Sequence, residues 1–434
     1  MNTGGRVLVI AGLVASLGLG ACSSAPSRPA GPAVTSRTTQ QNAPQPSDTR
    51  EEALAAVLTA RAQAIRTHDR AAFLATLDNP GSGFGLRQLT VFDDLAQLPL
   101  ATFSYGTPEP APPLGADRVA QVGPDAWVSR IAGRYTIAGF DTAPREFESY
   151  FTVVRRSDGW KLADDTDGGT QPQLWDLPDF TVVKSPTTLV IGSGPASRLR
   201  PYLALGDRAV PRVTRVWTVP WKQRLVLVVP ATAAQMAEQL GQDPGAVDQV
   251  AAVTDGPFDS TGRAGADRVV INPKAFANLQ ARGQQVVVTH EATHVAIRST
   301  TDRPVPLWLS EGMADFVGYR DVGVSKQLIA AALLDRVRAG KGPTALPSAA
   351  DFDPSRSTIA PSYNAAWLAI NRIVERFGIP ALVRFYRTAA TSPDPNAAPG
   401  DADANTQAAF RSVLHTSQAA FTTDWLGYLR SLAA

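Results

Sequence analysis

Only one cysteine, Cys22, occurs in the 434 residues. Without a second thiol the chain cannot build an internal disulfide framework or a cysteine-rich structural zinc site, so folding rests on packed cores. A surplus of charge is also absent: 41 Lys and Arg stand against 39 Asp and Glu, a formal net charge of +2. No basic run interleaved with aromatics occurs, and no nucleic acid is expected as a partner. Long apolar runs are missing too, since Val7 to Leu19 is too short to span a bilayer. Histidine is scarce, with four in the chain, so two at a metal-binding spacing carry weight. What the chain does have is length, more than one ordinary core can use, which points to two or three domains.

The N-terminus accounts for the cysteine. The amino group and Arg6 precede the apolar Val7–Leu19 stretch, which fits the core of a signal peptide. Leu19-Gly20-Ala21-Cys22 resembles a bacterial lipobox, which implies removal of residues 1–21 and lipidation of Cys22. The expectation is an extracytoplasmic lipoprotein held to the membrane at Cys22; the alternative is an uncleaved anchor with a passive thiol. Ser23 to Asp48 is rich in Ser, Pro, Thr, Ala and Gln, so residues 22–48 read as a flexible tether.

From Thr49 a helical pattern opens, with Leu54, Val57, Leu58 and Ile65 at helical spacing and acids in the first turn. A short second helix follows over residues 70–77. Strand patterns then cover residues 126–137, 147–155 and 160–163, the last two joined by the turn Ser157-Asp158-Gly159. Helices followed by an antiparallel sheet mean α+β. The order, ending in Tyr150 to Leu162, resembles the cone-shaped nuclear-transport-factor-2 and SnoaL-like domains. That resemblance implies an accessory module over 49–168, with an unidentified ligand or protein partner as its expected occupant. His68 beside Asp69 reads as a helix-end cap rather than a catalytic pair, and Asp164 to Gly168 as a hairpin end rather than a calcium loop. Residues 169–180 read as a linker.

The second region, 181–434, starts with strand patterns at 188–191, 224–229 and 267–272 and a helix at 232–240, then becomes mainly helical. Helical runs are expected at 283–297, 307–319, 326–338, 363–377, 381–388 and 406–432, with His415 inside the last as a surface or packing residue. At the change from strands to helices stands Thr289-His290-Glu291-Ala292-Thr293-His294. Residues four apart lie one turn, ~5.4 Å, from each other on a helix, so both imidazoles can reach one metal. Glu291 is rotated by about 100° and can approach a metal's water without ligating the metal.

A third ligand must follow. The metzincin continuation would need glycine at 297 and histidine at 300, but the chain has Ile297 and Thr300. Pro306-Leu-Trp-Leu-Ser-Glu-Gly-Met-Ala-Asp-Phe316 instead resembles the second motif of the gluzincins, most closely the small peptidase-MA-like enzymes of bacteria. The resemblance implies Zn2+ held by His290, His294 and Glu311, with Asp315 orienting the first histidine. Gly312 and Ala314 are expected to keep this helix slim against the first. Tyr363 matches the segment in which related enzymes supply an oxyanion donor. Asn272 matches an edge strand that pairs with substrate backbone. The aminopeptidase hallmark Gly-x-Met-Glu-Asn is absent, which favours an endopeptidase acting on peptides or proteins with Glu291 as general base. The competing reading is a nonhydrolytic envelope lipoprotein that uses both units for binding or assembly.

Overall fold

The computed structural model describes residues 49–353, 359–391 and 401–434. The expected signal segment, Cys22 and the tether lie outside these residues. The N-terminal unit runs α1 (Arg50–Thr67), α2 (Arg70–Leu74), α3 (Gly83–Gln97), β1 (Leu100–Pro110), α4 (Ala116–Val122), β2 (Trp127–Ile137), β3 (Arg145–Arg156) and β4 (Gly159–Asp164). Thr49 starts α1 by accepting the Glu52 N–H while Glu52 accepts the Thr49 N–H, a reciprocal cap that consumes two otherwise unpaired donors. The four strands form an antiparallel sheet in sequence order. Helix α3 and strand β1 were not expected from the sequence. Two glycines in the first turn of α3 hide its pattern, and one is required: a Cβ at Gly85 would lie 2.4 Å from the Asn79 carbonyl oxygen.

Residues 174–176 form a 3-10 turn that buries Leu174 and Trp175, followed by buried Leu177. Trp175 packs edge-on against Phe103, Tyr135 and Phe147, with ring centroids 5.2–5.8 Å away. The segment expected as a linker is thus packed into the N-terminal core.

The second unit continues with β5 (Phe180–Lys184), β6 (Thr188–Ser193), α5 (Ala196–Val216), β7 (Leu225–Val229), α6 (Ala233–Gln239), β8 (Ala252–Asp255) and β9 (Arg268–Ile271). Its five-stranded sheet has the order β5-β6-β7-β9-β8, with β6, β7 and β9 parallel and an antiparallel strand at each edge. Helices α7 (Pro273–Ala277), α8 (Ala281–Arg298), α9 (Leu307–Tyr319), α10 (Lys326–Ile329), α11 (Ala331–Arg338), α12 (Ile359–Ala390), α13 (Ala402–Val413) and α14 (Gln418–Ala433) complete the α+β fold. Helix α5 escaped the sequence pattern because Pro201 and Pro211 punctuate it. The two helices expected at 363–388 are joined as α12 across a kink at Gly378, where φ is 80°. The run expected at 406–432 is divided by a turn in which His415 is exposed with φ 51°. Among the described residues no helix is long and apolar enough to cross a membrane.

Alternation along the second sheet decides how the units meet. Leu225, Leu227 and Val229 face the helices, whereas Val226 and Val228 join the cluster that contains Leu54, Phe73 and Trp175 of the N-terminal unit. Leu189, Ile191, Val253 and Val270 point the same way. The outer face of the second sheet is therefore part of the N-terminal core.

Candidate metal centre

Helix α8 is buried almost all round from Gly283 to Ile297, although Gln285, Thr289, His290, Glu291, Thr293 and His294 among its buried residues are polar or charged. It lies against α5 and α9, and α9 lies against α12. A Cβ at Gly318 would come within 3.1 Å of the Val286 carbonyl oxygen, so this glycine lets α9 approach α8. Gly312 serves a different contact: a Cβ there would meet the Ala366 carbonyl oxygen of α12 at 2.6 Å. The expectation that Gly312 faces the histidine helix is corrected, because glycines six apart lie on different faces.

The four-residue spacing places the His290 and His294 rings 4.8 Å apart, with their Nε2 atoms 3.1 Å from each other. Glu311 on α9 brings Oε2 to 3.3 Å from His290 Nε2 and Oε1 to 3.6 Å from His294 Nε2. Asp315, one turn along α9, sits 2.9 Å from His290 Nδ1. With the Nδ1 proton directed to that carboxylate, the neutral ring keeps its Nε2 lone pair for a metal on the side of Glu311. All four residues are at most 4% exposed.

Charge explains why this arrangement calls for a cation. Burial opposes a charged His290, but the Asp315 carboxylate at 2.9 Å and the Glu311 carboxylate at 3.3 Å hold its pKa well above the usual imidazole value. Burial would raise Glu311, yet His294 and His290 bring it down to about 2. Both oxygens of Glu311 are nonetheless buried without a hydrogen-bond partner. Leaving a carboxylate so placed is costly, and a divalent cation relieves it. His290, His294 and Glu311 are the group of ligating side chains that could hold a metal among the described residues, with donor atoms within 4.8 Å of one another. Two imidazoles and a carboxylate make a donor set compatible with catalytic zinc.

Glu291 lies outside this donor group, is 1% exposed, and has its pKa raised by burial. Its Oε2 accepts a 2.6 Å hydrogen bond from Thr254 Oγ1 on β8, while Oε1 is buried without a partner. Tyr363, near the start of α12, is buried with its ring edge-on to Phe352 at 5.1 Å. Burial raises its phenol pKa well above the ordinary value, and the negative charges of Glu311, Asp315 and Glu291 raise it further. Tyr363 therefore stays protonated.

Asn272 has another role. Its Oδ1 accepts from Lys274 and Ala275 N–H at the start of α7, and its Nδ2 donates to the Val247 carbonyl oxygen. Fully buried, this side chain caps α7 with its oxygen and amide engaged inside the protein, which leaves no exposed group to offer a substrate. The strand it ends, β9, is also internal; the edge strand beside the centre is β8. Thr254 on β8 went unseen in the sequence because a four-residue strand beside a Gly/Asp-rich stretch leaves no periodic signal. Elsewhere, exposed His68 ends α1 in the left-handed region and Asp69 caps α2, so neither forms a catalytic pair. Asp164, Asp165 and Asp167 pair with Arg87 and Arg118.

No family model and no curated protein matches the chain. Fifteen solved chains do. One is a two-domain M1 zinc metallopeptidase variant bound to L-arginine, 14% identical with a TM-score of 0.33, over 70% of this chain and 61% of that one. Another is an M1 zinc metallopeptidase variant from Deinococcus radiodurans, 14% identical with a TM-score of 0.32, over 71% and 61%. The chain thus spans about three fifths of the length of each. A likeness this weak lends no weight to a shared activity, which the chain's own residues have to carry.

Proposed function

We propose that this protein is a zinc-dependent peptidase, an endopeptidase, working outside the cytoplasm on a lipid tether at Cys22. The observation that carries the reading is the buried His290–His294–Glu311 set with a second carboxylate, Glu291, beside it and one Glu291 oxygen unpartnered. A purely structural metal site has no use for that extra carboxylate. Zinc, when bound, supplies a Lewis acid that acidifies water and polarises a carbonyl. Glu291 accepts the proton of the attacking water and returns it to the leaving amine. Asp315 holds the His290 tautomer, and Tyr363 donates a hydrogen bond to charge that develops on the scissile carbonyl oxygen. An aminopeptidase needs a free carboxylate beside the metal to hold a substrate ammonium; the acid on edge strand β8, Asp255, points to the N-terminal side and is engaged by Arg145 at 2.5 Å, so it does not offer one. An accessory role for the N-terminal unit, toward a ligand or protein partner, belongs to the same reading.

Glu291→Gln keeps shape but removes the proton acceptor. Hydrolysis of a diverse peptide pool should fall by at least ~10²-fold with zinc content unchanged, whereas His290→Ala and Glu311→Ala should lose the metal. A wild-type protein that holds stoichiometric zinc and cleaves nothing would overturn the peptidase reading in favour of a binding protein.

A further inference from the structure

We propose that the N-terminal unit is a working part of the catalytic site: Arg145 pins the end of edge strand β8 and, through Thr254, sets the orientation of the Glu291 carboxylate. Both are positioning residues, and the inference rests on Glu291 serving as the base.

Strand β8 has four residues and one strand neighbour, β9, so its placement depends on what grips its ends. Alternation sends Ala252 and Thr254 to the helical side and Val253 and Asp255 to the N-terminal side. On the helical side, Thr254 Oγ1 lies 2.6 Å from Glu291 Oε2 and 3.2 Å from the Glu291 carbonyl oxygen. A hydroxyl has one proton, and the shorter contact takes it. The carboxylate is thereby held by one oxygen, leaving Oε1 as the buried, unpartnered one.

On the other side Arg145, the first residue of β3, donates from Nη2 to Asp255 Oδ2 at 2.5 Å. Its Nη1 donates to the Asp255 carbonyl oxygen at 3.4 Å and the Ala266 carbonyl oxygen at 3.3 Å. One planar guanidinium thus ties both ends of the β8–β9 connection. The grip is reinforced by Thr142 and Ala143, whose N–H groups donate to the Gly265 carbonyl oxygen at 2.8 and 3.3 Å. Asp141 meets Arg268 of β9 with two hydrogen bonds of 2.7 and 2.8 Å, both side chains almost fully buried. From the opposite side Arg298 of the histidine helix donates to Asp267 and to the Gly256 carbonyl oxygen. The connection is clamped between the N-terminal unit and the helix that carries the metal ligands. Gly265 permits the clamp, since a Cβ there would lie 2.5 Å from Ala143 Cβ and 2.8 Å from Thr142 Oγ1.

The test measures kcat and KM on a peptide taken from the cleaved pool, zinc content, and amide hydrogen exchange over residues 252–256. Thr254→Val should lower kcat about tenfold with KM within about twofold and zinc retained, and Thr254→Ser should restore it. Arg145→Ala should lower kcat by about three- to tenfold, speed exchange over 252–256, and add little on top of Thr254→Val. Arg145→Lys should recover part of the loss. Arg134→Ala, which removes an exposed pair with Glu146 on the same sheet, should change nothing. Wild-type kcat and exchange in Arg145→Ala, or effects of the two substitutions that multiply in full, would overturn the proposal while leaving the peptidase reading intact. If the wild-type protein itself cleaves nothing, that reading fails and this inference fails with it.

Discussion

Two buried polar clusters, one in each unit, are built in opposite ways. In the N-terminal unit, Arg61 is 1% exposed, yet its guanidinium is used up by Tyr105, Thr76 and Gln88 and lies 3.9 Å from the Phe73 ring centroid. Gln88 passes the chain on to Asp165 at 2.9 Å. Such a network satisfies itself and asks for nothing from outside. At the candidate metal centre, both oxygens of Glu311 and one of Glu291 stay buried without a partner. Closed networks specify a core, whereas open ones mark where a ligand and a reaction belong.

The comparison breaks most severely where the units are not separate. A chain starting at Phe180 would strip the N-terminal packing from the sheet face that carries Leu189, Ile191, Val226, Val228, Val253 and Val270, leaving Met236, Ala237, Val247 and Val250 of its own unit in that cluster. That aliphatic sheet face should make the fragment aggregate, measured as loss of soluble monomer in size-exclusion chromatography. A soluble, zinc-binding fragment would show that the shared core is dispensable.

A finer test concerns Tyr363, which stands at the open network without a metal-binding role. Tyr363→Phe keeps the packing against Phe352 and removes the donor, so kcat should fall on the order of 10²-fold with KM little changed. An unchanged kcat would return Tyr363 to packing.

The smallest effect tests the N-terminal unit's exception. Asp94 is 8% exposed, takes a long 3.4 Å hydrogen bond from Gln97, and is pushed up to about 7 by burial and by the charges of Asp93 and Asp176. Because its folded pKa lies above the unfolded carboxylate value, the folded state binds the proton more tightly. Stability should fall as pH rises from about 4 to about 7 and stay reduced above that range. Asp94→Asn should therefore raise Tm by a few degrees at pH 8 and leave it unchanged at pH 4, read by differential scanning calorimetry. A lower Tm at pH 8 would place Asp94 in a stabilising network like its neighbours.

Much of the centre was legible because its signals are local. His290, Glu291 and His294 share one helix, where spacing alone determines which side chains face together, and Glu311 with Asp315 repeats this on the next. The cap at Thr49 and the hairpin at Asp158 were readable for the same reason. Asn272 misled, since a residue ending a strand pattern looks the same whether it caps a helix or meets a substrate.

By itself, then, the sequence determined the two helices that carry the candidate ligands, their ligand faces and the chemistry those ligands can hold, because such periodicities are written within a few neighbouring residues. Tertiary structure alone decided that β8 is the edge strand, that Thr254 meets Glu291, that Arg145 reaches Asp255, and that the outer face of the second sheet closes the N-terminal core. Each of these joins positions 37 to 110 residues apart or more. Strand order and packing across the units select such contacts, and no short-range pattern records them.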